Sequence, residues 1–373
     1  MRTLLVFGTR PEAIKMAPVV KACQKHDEVE PLVCLTGQHR EMLRQVTDYF
    51  QIDADYDLDL MQPSQSLATL TARCLEGLAE VVAEARPDCI VAQGDTTSVL
   101  AASIVAFYDR LPFVHVEAGL RTGDLWAPWP EEFNRRVSSL VTTLHCAPTE
   151  AAAANLLQEG HPASQVHVTG NTVIDALLET VDRERARAEW HEKYAFLAEQ
   201  RMVLVTGHRR ENFGAGFEQI CRALAHLAER FPETQFVYPV HLNPEVQRPV
   251  YALLSPIENV HLTDPVPYPE FVWLMHRSDL ILTDSGGVQE EAPSIKKPVL
   301  VMRETTERPE AVACGACELV GTDEQRIRER ATSLLSDAAE YQRHQTDRNP
   351  YGDGRAADRI VDLMLQQDWG GGT

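Results

Sequence analysis

Nothing in this sequence approaches the ~18 consecutive apolar residues that a membrane span requires. The apolar run near the start, Thr3–Phe7, is too short for a secretory signal core, and no small-residue cleavage site comes after it. Cysteine is sparse and scattered, with 8 in 373 residues. Only Cys314-Gly-Ala-Cys317 makes a CxxC, without the second pair or the thioredoxin-like strand that zinc or redox chemistry needs. Several of the others lie in apolar segments and read as buried free thiols. Positive charge is short as well: 35 Lys and Arg stand against 55 Asp and Glu, a net charge of -20. Such a field repels nucleic-acid and membrane phosphate, so neither is an expected partner. Low-complexity segments and short repeats are absent. The sequence therefore reads as that of a cytoplasmic, reduced, globular protein, with no metal site expected.

The length gives room for two domains of roughly 100–200 residues each. Short β-branched runs at Thr3–Phe7, Pro31–Leu35, Cys89–Ala92, Phe113–Val116 and Val166–Val168 alternate with helical patterns, which predicts βαβ units and a parallel sheet. The alternation breaks at 180–200, a charged helical stretch. It resumes with Met202–Thr206, Gln235–Tyr238, Val260–Leu262, Leu280–Thr283 and Val299–Met302. The expected architecture is α/β: two Rossmann-like, doubly wound domains, 1–175 and 176–355, facing across a cleft. A final amphipathic helix in 356–373 packs back.

Ligands of such sheets sit beyond the carboxyl ends of the strands, so the residues just past each strand are informative. Gly8-Thr-Arg10-Pro-Glu-Ala-Ile-Lys15 offers a tight turn and two cations near a helix start, or else an ordinary capped helix. It has one glycine where the dinucleotide fingerprint has three, which argues against a nicotinamide cofactor. Asp95 comes after the third strand, as a helix cap or as a carboxylate facing a ligand. Glu117 comes directly after the fourth. Glu131 and Glu132 occupy a first helical turn behind Pro130, where acids also complement the helix dipole. In the second half His208 lies in Gly207-His-Arg-Arg-Glu211, and Asp284-Ser285-Gly286-Gly287 opens a helix with bare N–H groups suited to a diphosphate. Arg308 lies beyond the next strand. Together these describe a cleft for a phosphorylated or nucleotide-linked ligand with acid–base groups at its rim.

These segments, with His115-Val-Glu-Ala-Gly-Leu-Arg121, Gly170-Asn-Thr172 and Thr306-Glu-Arg-Pro-Glu310, resemble the non-hydrolysing UDP-N-acetylglucosamine 2-epimerases of bacteria. The resemblance runs from residue 3 to the Asn349-Pro-Tyr-Gly-Asp-Gly354 tail. It implies a GT-B-like fold, no cofactor, a homodimer, and interconversion of UDP-N-acetylglucosamine and UDP-N-acetylmannosamine for surface polysaccharides. It implies Asp95, Glu117, Glu131 and His208 as catalytic residues. Arg10, Lys15, Ser285, Gly286, Gly287, Glu291 and Arg308 would hold the nucleotide sugar, with Phe271 near the uracil. Some members bind a second substrate molecule as an activator; Gln38 and His241 match part of that site, whereas Glu41 and Ser64 depart from it. Gln93 and Val266 stand where relatives carry His and Gln.

Inverting C2 of the sugar breaks a C–H bond that has no carbonyl beside it. Without a nicotinamide, elimination of UDP to a glycal and then re-addition is the expected route. Two of Asp95, Glu117 and Glu131 would serve the two faces of C2 and the third would tune them, with His208 assisting. A GT-B glycosyltransferase, a hydrolysing relative and a non-catalytic nucleotide-sugar sensor are the competing readings.

Overall fold

The inner strands of each sheet are short and almost wholly buried, as strands covered by helices on both faces must be, while the edge strands are partly exposed. The computed structural model describes residues 1–37, 40–62, 65–346, 348–367 and 369, with the backbone alone at 40–42. The chain forms two compact units, one of residues 1–176 with 351–373 and the other of residues 177–350.

The first unit holds β1 (Arg2–Phe7), β2 (Glu30–Leu35), β3 (Tyr56–Asp57), β4 (Cys89–Gln93), β5 (Phe113–Val116), β6 (Leu144–Ala147) and β7 (Val166–Val168). They make one parallel sheet in the order β3-β2-β1-β4-β5-β6-β7. The second unit holds β8 (Arg201–Thr206), β9 (Thr234–Pro239), β10 (Val260–Thr263), β11 (Leu280–Thr283), β12 (Val299–Val301) and β13 (Cys317–Leu319), in the order β10-β9-β8-β11-β12-β13. In each sheet the order reverses beside the first strand, between β1 and β4 and again between β8 and β11. Crossover connections diverge there and leave a crevice at the strand ends.

Each expected strand is present within a residue or two of its bounds. Three others were not anticipated: β3 is only two residues long, while β6 (Leu-His-Cys-Ala) and β13 (Cys-Glu-Leu) carry polar side chains that weaken the apolar signal.

Each unit builds its own core. In the first, Leu4, Val6, Ile90, Ala92 and Phe113 of the strands pack with Leu70, Leu78, Val99 and Val105 of the helices. In the second, Val203, Val205, Phe236, Leu280 and Leu282 pack with Phe217, Leu224, Ile327 and Leu334.

The chain re-enters the first unit at Tyr351, a little before the expected start of the final segment at 356. The Asn171 N–H donates to the Tyr351 carbonyl at 2.6 Å, and the Asp175 carboxylate accepts the N–H groups of Ala356 and Ala357. The final helix Ala356–Gln366 then packs on helix Arg10–Gln24. All 8 cysteines are free.

Candidate active site

In the first unit the candidate residues gather at the ends of β1, β4 and β5. Helix Arg10–Gln24 begins with a capping box: the Thr9 hydroxyl accepts the Glu12 N–H, and the Glu12 carboxylate accepts the Thr9 N–H. The buried Glu12 carboxylate also accepts the Gly8 N–H at 2.9 Å and the Thr96 hydroxyl at 2.5 Å, tying the loop after β1 to the loop after β4. Burial raises its pKa above the usual carboxylate range. One turn further on, Lys15 sends its ammonium to both oxygens of Glu117, at 2.8 and 2.7 Å.

Glu117 is the residue directly beyond β5, and its φ of 62° lies in the left-handed region that a non-glycine residue rarely adopts. Its buried carboxylate also accepts Asn171 Nδ2 at 3.2 Å and Gln93 Nε2. Three side-chain donors, one of them cationic, therefore complement its ionised form.

Asp95 has different surroundings. Arg135 Nη2 donates to it at 2.8 Å, and its side chain keeps 26% of its surface exposed. Desolvation raises its pKa, Arg135 opposes that shift, and the nearby Glu117 and Glu131 add to it. Asp95 is not the helix cap: Thr96 caps helix Thr97–Tyr108 and leaves the Asp95 carboxylate available. Beside it the buried His115, pushed down to about 4 by desolvation, is neutral and places Nε2 at 2.7 Å from the Gly94 carbonyl.

Glu131 opens helix Glu131–Val141, close enough to Asp95 for its charge to act on that carboxyl. Its neighbour Glu132 is fully buried and structural, accepting from Arg136 and the Thr122 N–H. Arg10 is the first residue of its helix and half-buried.

In the second unit the candidates lie at the ends of β8, β11 and β12. Ser285 precedes the short helix Gly286–Glu291. A Cβ on Gly286 would lie 3.8 Å from the guanidinium atoms of both Arg209 and Arg308, so two cations flank this glycine. The buried Glu290 anchors Arg308 through Nε, and Glu291 accepts the Tyr268 hydroxyl at 3.2 Å. Phe271 is half-buried on helix Tyr268–Arg277. His208 is exposed just past β8, its ring stacked on His241 with centroids 5.5 Å apart. Gln38 and Ser64 lie outside the described residues, as does the side chain of Glu41.

Sequence reasoning did not single out Arg135, Asn171 or Asp284 as working residues. Asn171 lies three positions beyond β7, so the strand-end rule applies to it too. Asp284 comes directly after β11 but read only as the lead-in to the helix that Ser285-Gly286-Gly287 opens. Arg135 had no such signal, because only the helix geometry turns it onto Asp95. Among the described residues no group of three or more His, Cys, Asp or Glu could hold a metal ion, and no helix is long and apolar enough to cross a membrane.

Comparison with known proteins gives concordant matches. A family model described as UDP-N-acetylglucosamine 2-epimerase matches residues 21–365. The chain is 55% identical over 369 residues to the UDP-N-acetylglucosamine 2-epimerase of Escherichia coli K12, covering 98% of both. A crystal structure of UDP-GlcNAc 2-epimerase from Neisseria meningitidis, bound to UDP-GlcNAc, aligns with a TM-score of 0.90 at 48% identity, over 98% of this chain and 100% of that one. The enzyme of Methanocaldococcus jannaschii, in complex with UDP-GlcNAc and UDP, aligns with a TM-score of 0.81 at 30% identity, again over 98% of this chain and 100% of that one.

Proposed function

This chain belongs to the UDP-N-acetylglucosamine 2-epimerase family and is an isomerase; on that premise we propose that it interconverts UDP-N-acetylglucosamine and UDP-N-acetylmannosamine by eliminating and re-adding UDP, supplying precursors of surface polysaccharides in the cytoplasm. The observation that carries the mechanism is the pairing of two unlike carboxylates beyond the adjacent strands β4 and β5. Glu117 accepts three donors and suits a base, while Asp95 is pushed toward its protonated form by burial and acidic neighbours and suits an acid.

In this reading Glu117 takes the C2 proton as the C1–O bond breaks. A C1–C2 double bond forms and the electron pair of the C1–O bond leaves with UDP. Asp95 delivers a proton to the opposite face of C2 as UDP returns. Glu131 biases Asp95 toward the acid form. In the second unit Ser285, Gly286 and Gly287, with Arg308, hold the diphosphate, and Phe271 and Glu291 hold the nucleoside. Their support is the pair of cations beside Gly286. Lys15, bound to Glu117, positions that base as well as meeting the ligand; Arg10 meets it from the first turn of its helix.

Turnover in heavy water tests the chemistry. The epimeric product should carry deuterium at C2, and a product without it would exclude proton exchange at that carbon.

A homodimer belongs to the same reading. Helices Thr97–Tyr108 and Glu131–Val141 pack on each other and leave Phe107, Tyr108 and Leu140 exposed at 62%, 75% and 78%. An apolar group of that kind suits a second copy of the chain. Sedimentation should give a dimer for the native chain and a monomer for Tyr108→Glu with Leu140→Glu. A native monomer at micromolar concentration would remove the proposal.

A further inference from the structure

Asp284 is wholly buried directly after β11, beside the end of β8, and is neither one of the three candidate acids nor a candidate ligand contact. Its Oδ2 is well used. The backbone N–H groups of His208 and Arg209 both donate to it at 2.8 Å, and Asn212 Nδ2 lies at 3.4 Å. Its Oδ1 is buried and receives no hydrogen bond among the described residues. A buried carboxylate oxygen without a donor is costly enough that one is expected to be held for it. The polar atom facing it is His208 Nδ1, at 3.4 Å. That contact is slightly long for a hydrogen bond, as catalytic contacts without a ligand often are.

We propose that Asp284 is a positioning residue: through Oδ1 it holds the proton of His208 on Nδ1 and so presents Nε2 to the departing diphosphate. The inference rests on the assignment of His208 to the diphosphate and adds the atom through which it works. With Nδ1–H committed to Asp284, Nε2 takes up a proton from solvent as the anionic diphosphate binds beside it, and gives that proton to the leaving oxygen as the C1–O bond breaks. The ring is then neutral with its remaining proton on Nδ1, and Nε2 recovers the other when the bond re-forms.

Before a diphosphate binds, the groups facing His208 keep the ring neutral. Desolvation, Arg209 and His241 all disfavour the charged ring, and Asp284 alone favours it. His241 accepts the Asn243 N–H through Nδ1 at 3.1 Å, so its own Nδ1 carries no proton and that ring is a stacking neighbour rather than a donor to Asp284.

Asp284→Asn is the discriminating variant. Its amide oxygen can keep both backbone N–H groups, while its NH₂ turns toward Nδ1 and drives the ring proton to Nε2. The tautomer is read directly by long-range ¹H–¹⁵N correlation on the histidine-labelled full chain, with His208 assigned by the signal lost in His208→Gln. The native ring should carry its proton on Nδ1 and the variant ring on Nε2. The kcat for the UDP-sugar should fall about 100-fold or more, with the Kd for UDP changed less than about threefold. Asp284→Asn should add little to the loss already caused by His208→Gln, since it acts through that ring.

A native ring protonated on Nε2 overturns the proposal, and this holds even if the variant does not fold. So does an unchanged tautomer in the variant, or a full further loss on the His208→Gln background. Because the tautomer is read without substrate, a native protein that leaves UDP-N-acetylglucosamine unchanged would count against the proposed reaction and not against the Asp284–His208 pairing.

Discussion

Glu117→Gln is expected to lower kcat on the order of 10²–10⁴-fold, the range lost when a positioned acid–base group is removed. Shape is nearly conserved, but the chemistry is not, because an amide cannot take the C2 proton. Lys15, Asn171 and Gln93 all present N–H donors to this position, and an amide offers them one oxygen and a competing NH₂ group. Some loss of stability in the first unit therefore accompanies the loss of rate, about 1–3 kcal/mol for a buried donor left without its acceptor. The residues proposed to hold the nucleotide belong to the second unit, so UDP affinity should stay close to native. Steady-state rates in both directions, with UDP titration calorimetry, separate these effects. Turnover within about tenfold of native would remove Glu117 as the base.

Gly119→Ala should be the most damaging change that touches no proposed catalytic group. Gly119 has φ +92°, and a Cβ there would lie 2.2 Å from the Ala152 carbonyl oxygen and 2.8 Å from its carbon. Those atoms are backbone, inside helix Glu150–Gln158, and cannot rotate away as a side chain would. The glycine also offers its carbonyl to Asn155 Nδ2 at 3.0 Å, so the chain beyond Glu117 is pressed onto this helix. Left-handed strain and the clash together should cost on the order of 4 kcal/mol or more, a large share of the ~5–15 kcal/mol that stabilises a typical domain.

Gly123→Ala is the control. Its φ is +83°, but no atom lies within 4 Å of the added Cβ, so only the conformational cost of about 1–2 kcal/mol applies. Urea unfolding of both variants compares them. Equal midpoints would show that contact with Ala152 is not what requires glycine at 119.

The acid cluster was legible because parallel α/β sheets deliver their strand-end residues to one edge. Asp95, Glu117 and the Gly8–Lys15 segment could be placed from the strand pattern alone, and the structure gathers them at the ends of β1, β4 and β5. Partnerships were not legible. Lys15 read as a ligand-facing cation, yet it binds a carboxylate 102 positions away. Asp95 read as a cap or an acid, and Thr96 turned out to supply the cap. The bounds of β6 and β13 were hidden for a related reason: their burial comes from neighbouring strands and helices, not from their own composition.

The sequence by itself determined the alternation of strands and helices, the break into two sheets and the family, since these arise from local periodicity and from motifs in a fixed order. Tertiary structure alone decided which carboxylate receives three donors and which is pushed toward its acid form. It also decided that the buried Asp284 faces the His208 ring. Those properties come from desolvation and from charges a few ångströms apart in space, and residues that distant along the chain carry no local mark of meeting.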